Sequence, residues 1–101
     1  MKAIADLCVI PLGVGLSVSA QVAECEKILG KYQLKTHLHA YGTNIEGEWD
    51  EVFAAIKECH QTLHDQGVPR ISSSIKVGTR NDKNQTMAEK VRSVESKLSP
   101  S

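Results

Sequence analysis

LKTHLHAYGTNIEGEWD, residues 34 to 50, holds a strand, a corner, a second strand and the start of a helix in seventeen positions. From Leu34 to Tyr41 the residues alternate. Leu34, Thr36, Leu38 and Ala40 point one way and Lys35, His37, His39 and Tyr41 the other, as on a strand with two unlike faces. Gly42-Thr43-Asn44 carries turn chemistry, because glycine tolerates positive φ and asparagine bonds its own backbone. That predicts a hairpin, with a short second strand over Ile45–Trp49. Asp50 and Glu51, at the head of an apolar 3.6-residue pattern, mark a helix start, with Asp50 as cap or first-turn acid.

Upstream, Ala3–Leu12 alternates Ala5, Leu7 and Val9 against Asp6, Cys8 and Ile10, and Pro11, Gly13 and Gly15 close this first strand. Ser17 or Ser19 is placed to cap a helix on Val22, Cys25, Ile28 and Leu29 that ends near Gly30. Downstream, Val52, Phe53, Ile56, Cys59, His60 and Leu63 give a helix over Trp49–Gln66, stopped by Gly67 and Pro69. Arg70–Val77 alternates again, Gly78–Gln85 reads as a polar loop, and Thr86–Leu98 forms a helix on Met87, Val91, Val94 and Leu98. A weak tail starts at Ser96, and Pro100 opposes further helix. The order predicts an α+β fold: a ferredoxin-like βαββαβ unit with an antiparallel four-stranded sheet and a C-terminal helix, one domain over residues 1–101.

The 101 residues carry 12 basic and 12 acidic side chains, so the chain lacks the electrostatic footprint of a nucleic-acid binder or a membrane-surface protein. No apolar run approaches the roughly 20 residues of a membrane span, and the N-terminal pattern is a strand rather than a signal peptide. The expected location is the cytoplasm, with the nucleus open to it. Cys8, Cys25 and Cys59 are an odd number at wide spacing and read as buried reduced thiols. A chain this short hides little apolar surface per residue, which favours oligomers.

With helices over the face bearing Leu7, Val9, Leu38, Ile71 and Ile75, the other face shows Asp6, Cys8, Ile10, His37, His39, Tyr41, Ser72, Ser74 and Lys76. Ile10 and Tyr41 want cover, whereas Asp6, His39 and Lys76 want hydrogen bonds or water. A partner sheet enclosing a polar pocket answers both demands, and so does an interface without any ligand. His37 with His39, and His60 with His64, have metal-compatible spacings but no acidic or cysteine partner at a diagnostic distance, so no metal site is assigned. Trp49 reads as core packing or as a wall for an aromatic ligand. Glu46 either pairs with Arg70 or Arg80 or meets a ligand. GTRNDK, residues 78 to 83, offers backbone access at Gly78 and charge at Arg80 and Lys83 for a phosphate, but it lacks a dinucleotide or P-loop glycine pattern, and an exposed loop tied by Arg80 to Asp82 or Glu46 is the stronger reading. No nucleophile elbow or acyl-transfer cysteine is present, and the chain is read as a non-enzyme.

VIPLGVG (9 to 15), YGTNIEGEWDEV (41 to 52) and PRISSSIKVGTRNDK (69 to 83) together resemble the thiamine-binding-protein family, the YkoF-like group of small ferredoxin-like proteins. The resemblance implies a homotetramer assembled through sheets, with a pocket for thiamine or its hydroxymethylpyrimidine portion in some members and no further cofactor. Its pattern falls on Pro11, Gly13, Gly42, Thr43, Ile45, Glu46, Gly47, Trp49, Asp50, Arg70, Arg80 and Asp82, and prokaryotic relatives tend to place other small polar residues at His37 and His39. Glu46 and Asp6 would answer the cationic thiazolium and the amine, and Trp49 or Tyr41 the ring. The candidate ligand-binding set is Asp6, Cys8, His39, Tyr41, Thr43, Glu46, Trp49, Lys76 and Arg80. A structural or regulatory homo-oligomer without a small ligand is the alternative, and an enzyme acting on a thiamine precursor through His39 is a third class.

Overall fold

The computed structural model describes residues 1–98, so the stop expected at Pro100 lies outside the described residues. Its elements are β1 (Lys2–Leu12), α1 (Ser19–Leu29), β2 (Lys35–His39), β3 (Gly42–Glu48), α2 (Trp49–Asp65), β4 (Arg70–Thr79) and α3 (Met87–Leu98). The strands lie in the order β2-β3-β1-β4 with every neighbouring pair antiparallel, which is the ferredoxin-like arrangement with an added C-terminal helix.

Period-two burial in the two central strands sets the layers. Ala3, Ala5 and Leu7 of β1 and Thr43, Ile45 and Gly47 of β3 are buried, and the residues between them are not. The register sets Ala5 between Ile45 and Val77, so one sheet face is apolar across three strands. Against it α2 turns Val52, Ala55, Ile56, Cys59 and Leu63, a stripe of helical period, and α1 turns Cys25, Ile28 and Leu29. Ile45, Val52 and Leu63 are fully enclosed, each a burial of about 1.5–3 kcal/mol. Leu38 and Ile75 share this face but, on the edge strands β2 and β4, stay 56% and 38% exposed.

The hairpin departs from its expected form. β2 ends at His39, the corner is Ala40-Tyr41, and Gly42, Thr43 and Asn44 are strand residues of a seven-residue β3. Gly42 has no positive φ. Its need for glycine is closeness: a Cβ there would stand 2.6 Å from the Leu7 carbonyl oxygen, a distance backbone cannot relieve. Gly47 likewise gives room to the Leu34 side chain. Neither Ser17 nor Ser19 caps α1. The cap position is Val18, without a side-chain bond, and Ser19 is already helical. β4 continues through Gly78 and Thr79, and the helix runs through Ser96 to Leu98. Cys25 and Cys59 are buried thiols and Cys8 is half-buried. The neighbouring Cys25 and then burial push the Cys59 thiol up.

Candidate functional site

On the uncovered face the register lays out two cross-strand rows. Lys35, Glu46, Ile4 and Gly78 form one, and His37, Asn44, Asp6 and Lys76 the next. A side chain at Gly78 would meet nothing within 4 Å, so Ile4 and the bare Gly78 backbone make a flat floor. The segment after β4 forms the opposing wall. Arg80 clasps Asp82 through Nε and Nη2 at 2.7 and 2.6 Å, and its Nη1 donates to Gln85 Oε1 at 2.8 Å. The guanidinium holds the Asp82 carboxyl at about 2, below the usual carboxylate range. This is the Arg80 to Asp82 tie; Glu46 takes no part in it and bonds neither Arg70 nor Arg80 among the described residues. Glu46 Oε1 instead accepts the backbone N–H of Met87 at 2.6 Å, docking the start of α3 onto β3. The result is a groove of about 660 Å³ lined by Asp6, Asn44, Glu46 and Lys76 and closed by Arg80, residues 83–86 and Lys90.

A second, smaller cavity of about 230 Å³ lies at the hairpin end, between Cys8, Ile10, Val18, Val22, Leu38, His39 and Tyr41. His39 stands between the two. Its Nδ1 accepts the Tyr41 backbone N–H at 3.3 Å, so the ring proton is on Nε2 and donates to Asp6 Oδ1 at 2.7 Å. The imidazole reaches from β2 to β1 because the intervening residue is Gly42, whose missing Cβ would lie 3.4 Å from the His39 ring. With both nitrogens engaged, His39 can exchange a proton with a ligand only by giving up one of these bonds.

The nine residues singled out in the sequence are therefore divided. Asp6, Glu46, Lys76 and Arg80 line the large groove, and Cys8, His39, Tyr41 and Thr43 line the small one. Thr43 is only 5% exposed, points to the helix side, and donates its hydroxyl to Glu26 Oε2 at 3.0 Å. Tyr41 is in the corner rather than on the strand, 87% exposed. Trp49 lines neither cavity. It opens α2 and packs on Phe53 with ring centroids 4.8 Å apart. The sequence-based site set omitted Ile4, Asn44 and Gly78, which pattern placed in the first strand, a turn and a loop. Sequence reasoning also missed Lys35 and Lys90, and weighed Lys83 only as part of the 78–83 loop; only the folded chain brings the three together.

Residues 5–95 match the sequence profile of the family described as thiamine-binding protein. The chain belongs to that family. Among relatives, the UPF0045 protein sll0230 of Synechocystis sp. is 61% identical over 97% of this chain and 81% of its own length. The UPF0045 protein ECM15 of Eremothecium gossypii is 43% identical over 98% and 95%. Protein MJ1052 of Methanocaldococcus jannaschii superposes with a TM-score of 0.87 at 39% identity, covering 93% of this chain and 96% of that one. In this member of the thiamine-binding protein family the large groove has the size range of small-ligand sites, and the small cavity falls below it.

Proposed function

We propose that the chain is a non-enzymatic binding subunit that holds thiamine, hydroxymethylpyrimidine or a similar heteroaromatic molecule in the large groove, within a homo-oligomer. The observation that carries this is the convergence of Asp6, Asn44 and Glu46 over the flat Ile4–Gly78 floor in a chain of this family. A planar ring needs an apolar surface to lie on and hydrogen-bonding groups at its edge. Glu46 lines the groove and its Oε2 makes no hydrogen bond among the described residues, which leaves it as the acceptor for an exocyclic amine. Asn44 supplies both a donor and an acceptor. Exposed Ile10, Leu12 and Val91 support assembly with sister copies, and a homotetramer joined through sheets fits them.

A second reading, a structural or regulatory homo-oligomer with no ligand, draws on the same exposed apolar residues. Calorimetric titration separates the two. Thiamine or hydroxymethylpyrimidine releases heat on the wild-type protein, and Gly78→Trp, whose side chain enters open space, weakens binding by about tenfold or more, about 1.4 kcal/mol. Circular dichroism of that variant stays native. No heat from either compound or from its phosphate ester at millimolar concentration defeats the binding reading and leaves the oligomer.

A further inference from the structure

The large groove is far more basic than the chain that forms it. Charges balance over the whole sequence, yet Lys2, Lys35, Lys76, Arg80, Lys83 and Lys90 line the groove against only Asp6 and Glu46. Both acids are already engaged, Asp6 by His39 Nε2–H at 2.7 Å and Glu46 by the Met87 N–H at 2.6 Å. Two of the cations are engaged as well: Arg80 by Asp82 and Gln85, and Lys2 by Glu48 at 3.9 Å. Lys35, Lys76, Lys83 and Lys90 form no ion pair among the described residues. Four unpaired ammonium groups around one concavity repel one another and focus positive potential into it.

That field acts against a bare thiazolium cation and in favour of an anion joined to the ring. We infer that the groove takes its heteroaromatic ligand as a phosphate ester, with the ring on Ile4 and Gly78 and the phosphate among Lys76, Lys83 and Lys90. The inference rests on the binding reading above and names the ligand's chemical form. The Arg80–Asp82–Gln85 clasp gives the wall its shape: it fixes the loop carrying Lys83, while Glu46 and Thr86, by capping α3, hold Lys90 at the rim. The helix N–H groups of Met87 and Glu89 are taken up by those caps, so the phosphate partners are the lysines, acting as point charges.

The test is calorimetry at two salt concentrations with thiamine, thiamine monophosphate, hydroxymethylpyrimidine phosphate and orthophosphate. It is run on the wild-type protein and on the triple variant Lys76→Gln, Lys83→Gln, Lys90→Gln, three exposed positions whose replacement leaves the core untouched. The expected result is that a phosphate ester binds the wild type at least tenfold more tightly than thiamine. That advantage shrinks at higher salt and vanishes in the triple variant. Thiamine binding equal to its monophosphate in both proteins overturns the inference and leaves the binding reading standing. Orthophosphate alone matching the esters overturns the inference, since the ring then contributes nothing. Silence from all four compounds overturns both.

Discussion

At the scale of single residues, His60 is the group whose environment gives a pH signature. It lies half-buried on α2, its Nε2 hydrogen-bonded to Ser73 Oγ across to β4 at 2.7 Å. Burial, and then the neighbouring His64, lower its pKa from the ordinary 6.5. The folded state therefore resists the proton that the unfolded chain accepts. Stability is full above 6.5 and falls as pH drops through the window between the unfolded and the lower folded value, because the unfolded state binds more protons there. Melting temperatures measured from neutral to mildly acid pH should show this fall. His60→Gln, which keeps a polar group near Ser73 and removes the titration, should flatten it. An identical slope in the variant would assign the pH dependence elsewhere. His60 was legible as a stripe residue from its spacing with Ile56, Cys59 and Leu63, but its bond to Ser73 was not, since thirteen residues of chain separate the pair.

At the scale of elements, period and turn chemistry competed in the hairpin, and period won. Gly42, Thr43 and Asn44 have turn composition, yet Thr43, Ile45 and Gly47 bury while Gly42, Asn44 and Glu46 do not, so alternation runs straight through them. The glycines are required by what approaches their Cα, a contact of distant residues that no local pattern shows. The same displacement explains the divided site: moving the corner to Ala40-Tyr41 takes Tyr41 off the strand and brings Asn44 onto the open face. The third helix shows the opposite balance. It buries no residue, so α3 depends on its caps, the Thr86 Oγ1 that accepts the Glu89 N–H at 3.1 Å and Glu46 on the Met87 N–H. Removing the hydroxyl by Thr86→Ala should cost about 1 kcal/mol of helix stability. Trypsin cleavage after Lys90 and Arg92 should then be about fivefold faster, by the same about 1 kcal/mol. An unchanged cleavage rate would mean that contacts outside the subunit, rather than its caps, hold α3.

At the scale of the whole molecule, the lone subunit is larger than its length warrants. Its Cα radius of gyration is 15.3 Å and its extents are 52 × 30 × 19 Å, against about 13 Å for a compact chain of about 100 residues. α3 buries no residue, and its Val91, Val94 and Leu98 form one apolar stripe at helical spacing and are 57%, 59% and 75% exposed. The uncovered sheet face adds Ile10 and Leu12 beside its polar rows. Isolated exposed apolar residues are ordinary, but a helix whose apolar stripe is bare from Val91 to Leu98 is not, and a second copy of the same surface is the partner always at hand. The sister copies should therefore bury α3 together with the open face, making the groove wall stiffer than one subunit alone would hold it. Sedimentation at dilute concentration should give a multiple of the 11.0 kDa chain mass. The double variant Val91→Lys, Val94→Lys, which leaves the core untouched because neither side chain contributes to it, should sediment as single subunits. It should also lose ligand affinity without losing its near-native circular dichroism. A wild-type protein that stays a single subunit would break the link between the bare stripe and assembly, and a double variant that remains oligomeric would assign the contact to the sheet face alone.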